Sequence, residues 1–171
     1  MINKLLLALT LVSTASFSYD WTDVIDVPDH YIRDVSSSEL TEMECLALNI
    51  YHESRGEGIL GRKLVAQVTM NRMRHPSFPD TICEVVRDPS QFSWTNDGNT
   101  DHPYNREAYE ISYLIAVAYV EFDFHIKMKY SSLVLNYHNL DVEPGWHDLV
   151  PILIQGHHKF YQDKQRGLNN D

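Results

Sequence analysis

The chain has 171 residues, of which 43% are apolar and 22% are charged, a composition typical of one packed globular domain. It excludes a disordered chain, a coiled coil and a collagen-like repeat. Asp and Glu number 24 against 14 Lys and Arg, for a net charge of −10, and no basic block offers a surface for a phosphate backbone. Nucleic acid is therefore not a predicted partner.

Residues 1–18 are typical of a secretory signal peptide. Lys4 supplies a positive charge, residues 5–12 are almost wholly apolar, and the small residues Ser16 and Ser18 follow where a signal peptidase would cut. The alternative is a membrane anchor, but the run is shorter than the ~20 apolar residues of a spanning helix. We expect cleavage near Ser18, no stable membrane span afterwards, and an exported protein that is periplasmic or extracellular.

The rest of the chain divides into an N-terminal arm or linker, 19–35, and one domain, 36–171. Ser36 with Glu39 and Thr41 with Glu44 pair a hydroxyl with a carboxylate three residues later, which is the capping-box pattern of a helix start. Helical and strand periodicities predict an α+β fold, mainly helical with a small C-terminal β-hairpin. The predicted helices are one that follows these boxes and ends before Gly56, then 60–72, 81–87 and 107–122; the predicted strands are 133–137 and 152–154, on either side of a Pro-Gly turn at 144–145.

Cys45 and Cys83 are the two cysteines of the sequence. In an exported protein an isolated pair favours a disulfide, which would stabilise the fold by ~3–4 kcal/mol in the chain-entropy model. The alternative is two buried free thiols. A catalytic cysteine is disfavoured, because oxidising conditions threaten a thiolate nucleophile.

Glu53 is an acidic residue on the apolar stripe of the first predicted helix. It lies seven residues after Leu46 and three after Ile50, at the C-terminal end, where the helix dipole disfavours a negative charge. Partial burial and this dipole both predict a raised pKa. A carboxyl that stays protonated near neutral pH can protonate the leaving oxygen of a glycosidic bond. The alternatives are a surface residue at a frayed helix end, or a residue paired with Arg55 or Arg72.

Known metal and nucleophile motifs do not fit the sequence. His52 and Glu53 begin like the zinc motif H-E-x-x-H, but Gly56 stands where the second histidine belongs. His157 and His158 are adjacent, and neighbours on a strand point to opposite faces. The sequence has no G-x-S-x-G elbow, P-loop or dinucleotide fingerprint. We therefore expect no metal and no other cofactor.

Several blocks of the sequence, in the same order, resemble the SleB/CwlJ-type cell-wall hydrolase family, whose founding members degrade spore cortex peptidoglycan. The segment Tyr51-His-Glu-Ser-Arg-Gly-Glu57 is close to the family core Tyr-x-Glu-[Ala/Ser]-Arg-Gly-Glu. The resemblance covers about residues 40–162. Its blocks are 45–57, 61–72, 75–86, 91–94, 137–138, 144–146 and 156–161.

The resemblance implies a lysozyme-like α+β fold and cleavage of the β-1,4 bond between N-acetylmuramic acid and N-acetylglucosamine, with Glu53 as the acid. It implies that Arg55 and Glu57 support the motif, either structurally, with Arg55 bonding backbone carbonyls while Glu57 fixes its guanidinium, or by direct substrate contact. The alternative for Phe92 and Tyr137 is a place that is partly in the core, and Trp94 and Trp146 are open between groove and packing. The alternative for His138 is a hydrogen bond to a backbone carbonyl. The residues implied to bind substrate are Gln91, Phe92, Ser93, Trp94, Tyr137 and His138.

Two glycan-cleaving chemistries remain open at this stage. A lytic transglycosylase needs one carboxyl, because the muramic acid 6-hydroxyl attacks the anomeric carbon and closes a 1,6-anhydro ring. A water-using muramidase ordinarily needs a second carboxylate, for which Glu57, Asp97 and Asp101 are candidates. A stem-peptide amidase and a non-catalytic wall-binding domain are the less favoured alternatives. In each case peptidoglycan is the predicted partner, and the protein is predicted to be a monomer.

Overall fold

Residues 40–89, 91–127 and 131–163 are described by the computed structural model, so the predicted signal peptide, the arm and the Ser36–Glu39 capping box lie outside the described residues. Within them the α+β class is confirmed, and the predicted bounds of the last three helices are met to within two residues. No helix of this part of the chain is long and apolar enough to cross a bilayer. The elements are α1 (Glu42–Ser54), α2 (Ile59–Met73), α3 (Ile82–Arg87), α4 (Arg106–Val120), β1 (Val134–Asn139), β2 (Leu149–Gln155) and β3 (His158–Asp163), with 3₁₀ turns at Ser93–Asn96 and Ser131–Leu133.

The central element is α1. The Thr41 hydroxyl accepts the backbone N–H of Glu44 at 3.2 Å, and the Glu44 carboxylate accepts the N–H of Thr41 at 2.7 Å, which completes the predicted capping box. Every residue from Cys45 to Tyr51 is buried, as in a helix surrounded by protein on all sides. The first turn and the last turn are partly uncovered, and the last turn places Glu53 at the rim of the helical core.

The predicted disulfide joins α1 to α3. Cys45 and Cys83 are bonded, with their Cα atoms 5.2 Å apart, so the alternative of two free thiols is wrong. Glu42 on α1 accepts hydrogen bonds from the backbone N–H groups of Ile82 and Cys83, while the Thr81 side chain caps the same helix end. The start of α3 is therefore fixed to α1 by a covalent bond and by capping.

The sheet is larger than the predicted hairpin. Its strand order is β1-β3-β2, and both neighbouring pairs are antiparallel, so the unpredicted strand β3 lies between the two predicted ones. The hairpin joins β2 to β3 through a turn at Gly156, whose φ of +57° is typical of the first position of a type II′ turn. The Pro-Gly segment at 144–145 lies instead in the longer connection from β1 to β2.

Two hydrophobic clusters make up the core. The larger comes from the four helices and the loop after α3, and the smaller packs Leu64 and Val68 of α2 against Val134 of β1 and Phe160 of β3. Tyr137 packs against both clusters. It therefore lies at the junction between helices and sheet.

Candidate active site

Glu53 and Tyr137 meet where the last turn of α1 faces the sheet. The Tyr137 hydroxyl donates a hydrogen bond to Glu53 Oε2 at 3.0 Å. The Tyr137 ring is held by His158 and Phe160 of β3, with ring centroids 5.1 and 5.4 Å away. The sheet thus fixes the phenol that contacts the half-buried Glu53 carboxyl.

The surroundings of Glu53 act on its proton in opposite directions. Burial raises the pKa of the carboxyl, as the sequence predicts, while the Tyr137 hydrogen bond and the positive charge of Arg72 oppose that rise. Burial and the neighbouring Glu53 carboxylate raise the pKa of Tyr137 well above its ordinary value, so the phenol stays protonated and remains a donor. Glu53 can therefore hold a proton, and its ionised form has a hydrogen-bond donor in place.

Arg72 on α2 lies beneath this pair and is buried. Its Nε donates to the backbone carbonyl of Leu135 at 2.8 Å, and its guanidinium lies over the rings of Phe78 and Phe92. Its Nη1 is buried with no hydrogen-bond partner among the described residues. Within the same residues Glu53 takes part in no ion pair, so the considered pairing with an arginine is not found.

A cavity of about 550 Å³ opens beside Tyr137. Its lining comes from α2, the loop after α3, β1 and the segment that enters β2. This volume is within the range of ligand sites, and the lining combines an exposed indole with amide and acidic groups that can bond to sugar hydroxyls. The side chains that matter here are Arg72, Gln91, Asn136, Tyr137, Trp146 and Asp148.

Two of the implied substrate-binding residues, Gln91 and Tyr137, line this cavity. Phe92 does not, and that expectation is corrected: it is only 2% exposed, and its ring packs in the helical core against the Arg72 guanidinium. Ser93 is exposed at the start of a 3₁₀ turn. An apolar ring in this loop is buried while its polar neighbours face solvent.

Trp94 lies at a different part of the surface. Its indole N–H donates to Asn49 Oδ1 at 3.1 Å, and its ring stacks on His52 at 4.4 Å between centroids. It lines two smaller cavities, of about 270 and 210 Å³. The structure does not bring Trp94 to the cavity beside Tyr137.

His138 faces away from Tyr137, because successive residues of a strand point to opposite faces. Its Nε2 is 2.7 Å from the Tyr161 hydroxyl, and its ring contacts that of Trp146 edge-on at 5.6 Å. Trp146, whose role the sequence left open, lines the larger cavity. His138 therefore supports Trp146 from the outer face of the sheet and does not line the cavity itself.

Glu57 lies in the loop between α1 and α2 and binds the turn between β2 and β3. Its Oε1 accepts the backbone N–H of His157 at 3.0 Å and lies 2.9 Å from His157 Nδ1. The side chain is only 8% exposed. Burial opposes ionisation, but these two hydrogen bonds and the nearby His158 and His157 lower the pKa of Glu57. The carboxylate holds the sheet to the helices.

Arg62 binds most of the loop carbonyls, whereas Arg55 binds one: its Nη1 donates to the carbonyl of His52 at 3.5 Å. The structural role expected for Arg55 is therefore met in part. The Arg62 guanidinium donates to the carbonyls of Glu57 at 3.1 Å, Arg55 at 2.6 Å and Ala108 at 3.0 Å. Arg55 is exposed, and Glu57 binds the β2–β3 turn rather than the Arg55 side chain. The bond to the Ala108 carbonyl is buried, so this carbonyl depends on a partner from the protein, which Arg62 supplies.

The other two candidates for a second carboxylate lie away from Tyr137. Asp97 is exposed and accepts the N–H of Asn99 at 2.8 Å, while the carbonyl of Asp101 lies 3.0 Å from His52 Nε2. Both line the cavity of about 210 Å³. Among the described residues, the carboxylate that lines the larger cavity is Asp148.

Sequence reasoning did not assign Arg72, Asn136 or Asp148 to the site. Two of them lie next to blocks of the family resemblance, which could have indicated a place in the site. Asn136 immediately precedes Tyr137, and Asp148 follows the Pro-Gly-Trp block by two residues. No group of three His, Cys, Asp or Glu side chains in the described ranges could hold a metal ion.

The chain is similar to known proteins in sequence and in fold. Residues 56–161 match the model of a family described as Cell Wall Hydrolase, and this match begins just after Glu53. A spore cortex-lytic enzyme from Bacillus cereus is 40% identical over 57 residues, which are 33% of this chain and 22% of that enzyme. The chain therefore spans about a fifth of the length of this curated relative.

Two solved structures have a similar fold. The catalytic domain of the germination-specific lytic transglycosylase SleB from Bacillus anthracis has a TM-score of 0.55 and 28% identity, and covers 75% of this chain and 100% of its own. The catalytic domain of the Bacillus cereus SleB protein has a TM-score of 0.53 and 27% identity, and covers 76% of this chain and 97% of its own.

Proposed function

Because the chain belongs to the cell wall hydrolase family, we propose that it cleaves the glycan strand of peptidoglycan at the β-1,4 bond between N-acetylmuramic acid and N-acetylglucosamine. Glu53 serves as the single general acid and base of a lytic transglycosylase. The observation that carries this proposal is the half-buried Glu53 carboxyl, hydrogen-bonded by Tyr137 beside a cavity of about 550 Å³. The fold shared with a catalytic domain described as a lytic transglycosylase supports it.

The reaction has two steps at one carboxyl. Protonated Glu53 gives its proton to the oxygen that leaves with N-acetylglucosamine as the bond from that oxygen to the muramic acid anomeric carbon breaks. The muramic acid 6-hydroxyl then bonds to the same carbon and transfers its proton to the Glu53 carboxylate. No water is consumed, and Glu53 returns to its protonated form. The Tyr137 hydroxyl stabilises the carboxylate between the steps.

The side chains that line the cavity position the saccharide substrate. The Trp146 indole offers a face for a sugar ring, and the amides of Gln91 and Asn136 are donors and acceptors for hydroxyl and acetamido groups. Binding energy from these contacts would orient the scissile bond. Glu53 does not itself line this cavity, and its link to the cavity is the hydrogen bond from Tyr137, which does.

The water-using muramidase is the second candidate, because Asp148 lines the same cavity as Tyr137. An exposed aspartate there could activate a water molecule on the far side of the sugar ring. Of the carboxylates considered from the sequence, Glu57 is engaged by His157, and Asp97 and Asp101 line another cavity. Asp148→Asn is thus the variant that tests the hydrolytic route.

The test is mass spectrometry of soluble products released from purified peptidoglycan in H₂¹⁸O. We expect wild type to release 1,6-anhydromuropeptides without ¹⁸O. Glu53→Gln should release none, because an amide is far too weak an acid to protonate the leaving oxygen. Glu121→Gln, an exposed position at the end of α4, is the matched control and should behave as wild type.

Each other product pattern contradicts the proposal in a specific way. Reducing-end muramic acid carrying ¹⁸O and sensitive to Asp148→Asn would indicate a muramidase. Free stem peptides would indicate an amidase, and full activity of Glu53→Gln would exclude Glu53 as the acid. Binding to peptidoglycan without any product would indicate a wall-binding domain.

We also propose that the protein acts as a monomer outside the cytoplasm, with residues 1–18 as a cleaved signal peptide and 36–171 as the catalytic domain. The Cys45–Cys83 disulfide supports an oxidising compartment. N-terminal sequencing of the protein recovered from expressing cells checks the cleavage site near Ser18. An unprocessed chain held in the membrane fraction would favour the signal-anchor alternative.

A further inference from the structure

Two buried arginines on α2 differ in how their guanidinium groups are used. Arg62 is 7% exposed and donates to three backbone carbonyls. Arg72 is 5% exposed, donates through Nε to the Leu135 carbonyl, and keeps a buried Nη1 without a partner in the described part of the chain. A buried polar group without a partner lowers the stability of the fold, and a charged one lowers it more. Binding of backbone carbonyls, which accounts for the burial of Arg62, therefore does not account for the burial of Arg72.

The position of Arg72 keeps its charge fixed and poorly hydrated. The rings of Phe78 and Phe92 lie 5.5 and 5.2 Å from its guanidinium carbon, and the bond to Leu135 holds Nε. A cation in such surroundings is screened less than one in water and acts over a longer distance. The structure therefore maintains a permanent positive potential at this place.

The titratable groups near Arg72 and its neighbour Tyr137 come from four parts of the fold. Glu53 approaches from α1 and Tyr137 from β1, where Tyr137 lines the same cavity as Arg72. His158 of β3 packs edge-on against the Tyr137 ring. Asp88 at the end of α3 is the other acidic group that acts on Arg72. Of these groups, Glu53 is the one whose proton the proposed reaction uses.

We propose that Arg72 is a positioning residue whose fixed charge stabilises the ionised state of Glu53, together with the Tyr137 hydroxyl, so that one carboxyl can act first as acid and then as base. This inference rests on the proposed function. Burial alone would favour only the protonated carboxyl. The carboxylate formed after proton transfer is stabilised by a positive charge held nearby.

The direct test follows the titration of Glu53 in the full-length protein labelled with ¹³C-carboxyl glutamate. The Glu53 signal is assigned by its loss in Glu53→Gln. We expect Arg72→Gln to move the Glu53 titration to higher pH, because the opposing positive charge is gone. The basic limb of kcat/KM on peptidoglycan should move in the same direction, because the protonated acid then persists to higher pH.

Arg72→Lys and Arg62→Gln are the matched variants. Arg72→Lys keeps the charge and should leave the titration of Glu53 near that of wild type, even where kcat falls. Arg62→Gln removes an equally buried arginine on the same helix, and should lower stability without moving the titration. If Arg72→Gln does not fold, Arg72→Met is the neutral variant, because its apolar side chain can pack over Phe78 and Phe92. It should shift the Glu53 titration upwards relative to Arg72→Lys.

An unchanged Glu53 titration in folded Arg72→Gln would overturn the inference. Equal shifts in the neutral Arg72 variant and Arg72→Lys, or in the neutral Arg72 variant and Arg62→Gln, would overturn it as well, since charge at this position would not be the cause. The titration needs no turnover. A protein that cuts no glycan but shows the expected shifts would therefore contradict the proposed function and leave the effect of Arg72 on Glu53 established.

Discussion

A carboxyl at a half-buried position lowers the stability of the folded protein whenever it must ionise there. Burial raises the pKa of Glu53 above its ordinary 4.5, so the unfolded chain releases this proton at a lower pH than the folded one does. The stability that this group contributes is therefore full below pH 4.5 and is lost as the pH rises through the folded pKa.

At the residue scale, this predicts that Glu53→Gln is more stable than wild type at pH 7. The neutral amide can still accept the Tyr137 hydrogen bond but never ionises. The gain should disappear towards pH 4, where both side chains are uncharged. Urea unfolding at a series of pH values measures it. Glu121→Gln, at the exposed end of α4, is the control and should show a smaller gain, because it loses only the helix-dipole effect and not the effect of burial. A gain independent of pH, or a loss at pH 7, would contradict a raised pKa for Glu53.

At the element scale, the loop between α1 and α2 is joined to the β2–β3 hairpin by one side chain. A Cβ atom added to Gly156 would lie 1.5 Å from Glu57 Oε2, and the φ of this glycine is +57°. Gly156 therefore meets two requirements, a left-handed backbone and room for the Glu57 carboxylate. The hairpin keeps its place against the helices because this turn accepts a buried carboxylate.

We expect Gly156→Ala to lower the free energy of unfolding by more than the ~1–2 kcal/mol of a left-handed alanine. Gly98→Ala is the matched control, because Gly98 has a φ of +76° and open space around its Cβ position. Chemical unfolding of both variants, with and without Glu57→Ala, separates the two contributions. The excess at Gly156 should vanish once Glu57 is alanine; an excess that persists would show that Glu57 is not its cause.

At the scale of the whole molecule, the Cys45–Cys83 bond restrains the unfolded chain across 38 residues. The chain-entropy model assigns about 4 kcal/mol to a loop of this length. We expect Cys45→Ser/Cys83→Ser to lower Tm by on the order of 10 °C. Differential scanning calorimetry with and without reductant measures this, and the double variant should be insensitive to reductant. A reductant effect of equal size on the variant would point to a cause other than this bond.

The helices were predictable because their signals are local. Thr41 and Thr81 cap the helices that their sequence contexts predict, and Glu53 follows from helical spacing. The strand β3 carried no such signal, since its alternation places Phe160 among polar residues and its position depends on pairing with two other strands.

The contacts of the site were beyond the reach of local rules. Tyr137 bonds to a carboxyl 84 residues away, and only the packing of the sheet on α2 brings the two together. The family resemblance implies that Phe92 lines the groove, with a partly core position as the alternative. The structure buries the ring against Arg72. The sequence alone does not show whether the Phe92 ring lies in a sugar-binding groove or in the core.

Tyr137 packs against both hydrophobic clusters, so mutations that shift the sheet relative to the helices should impair activity. Any slip of the sheet along α2 alters the reach of the phenol to Glu53. Val68 packs between α2 and the sheet and does not line the cavity. Val68→Ala should therefore be recovered in a screen for colonies that no longer lyse a peptidoglycan overlay. The loss-of-function map of such a screen would trace the line where the two clusters meet, as well as the rim of the cavity.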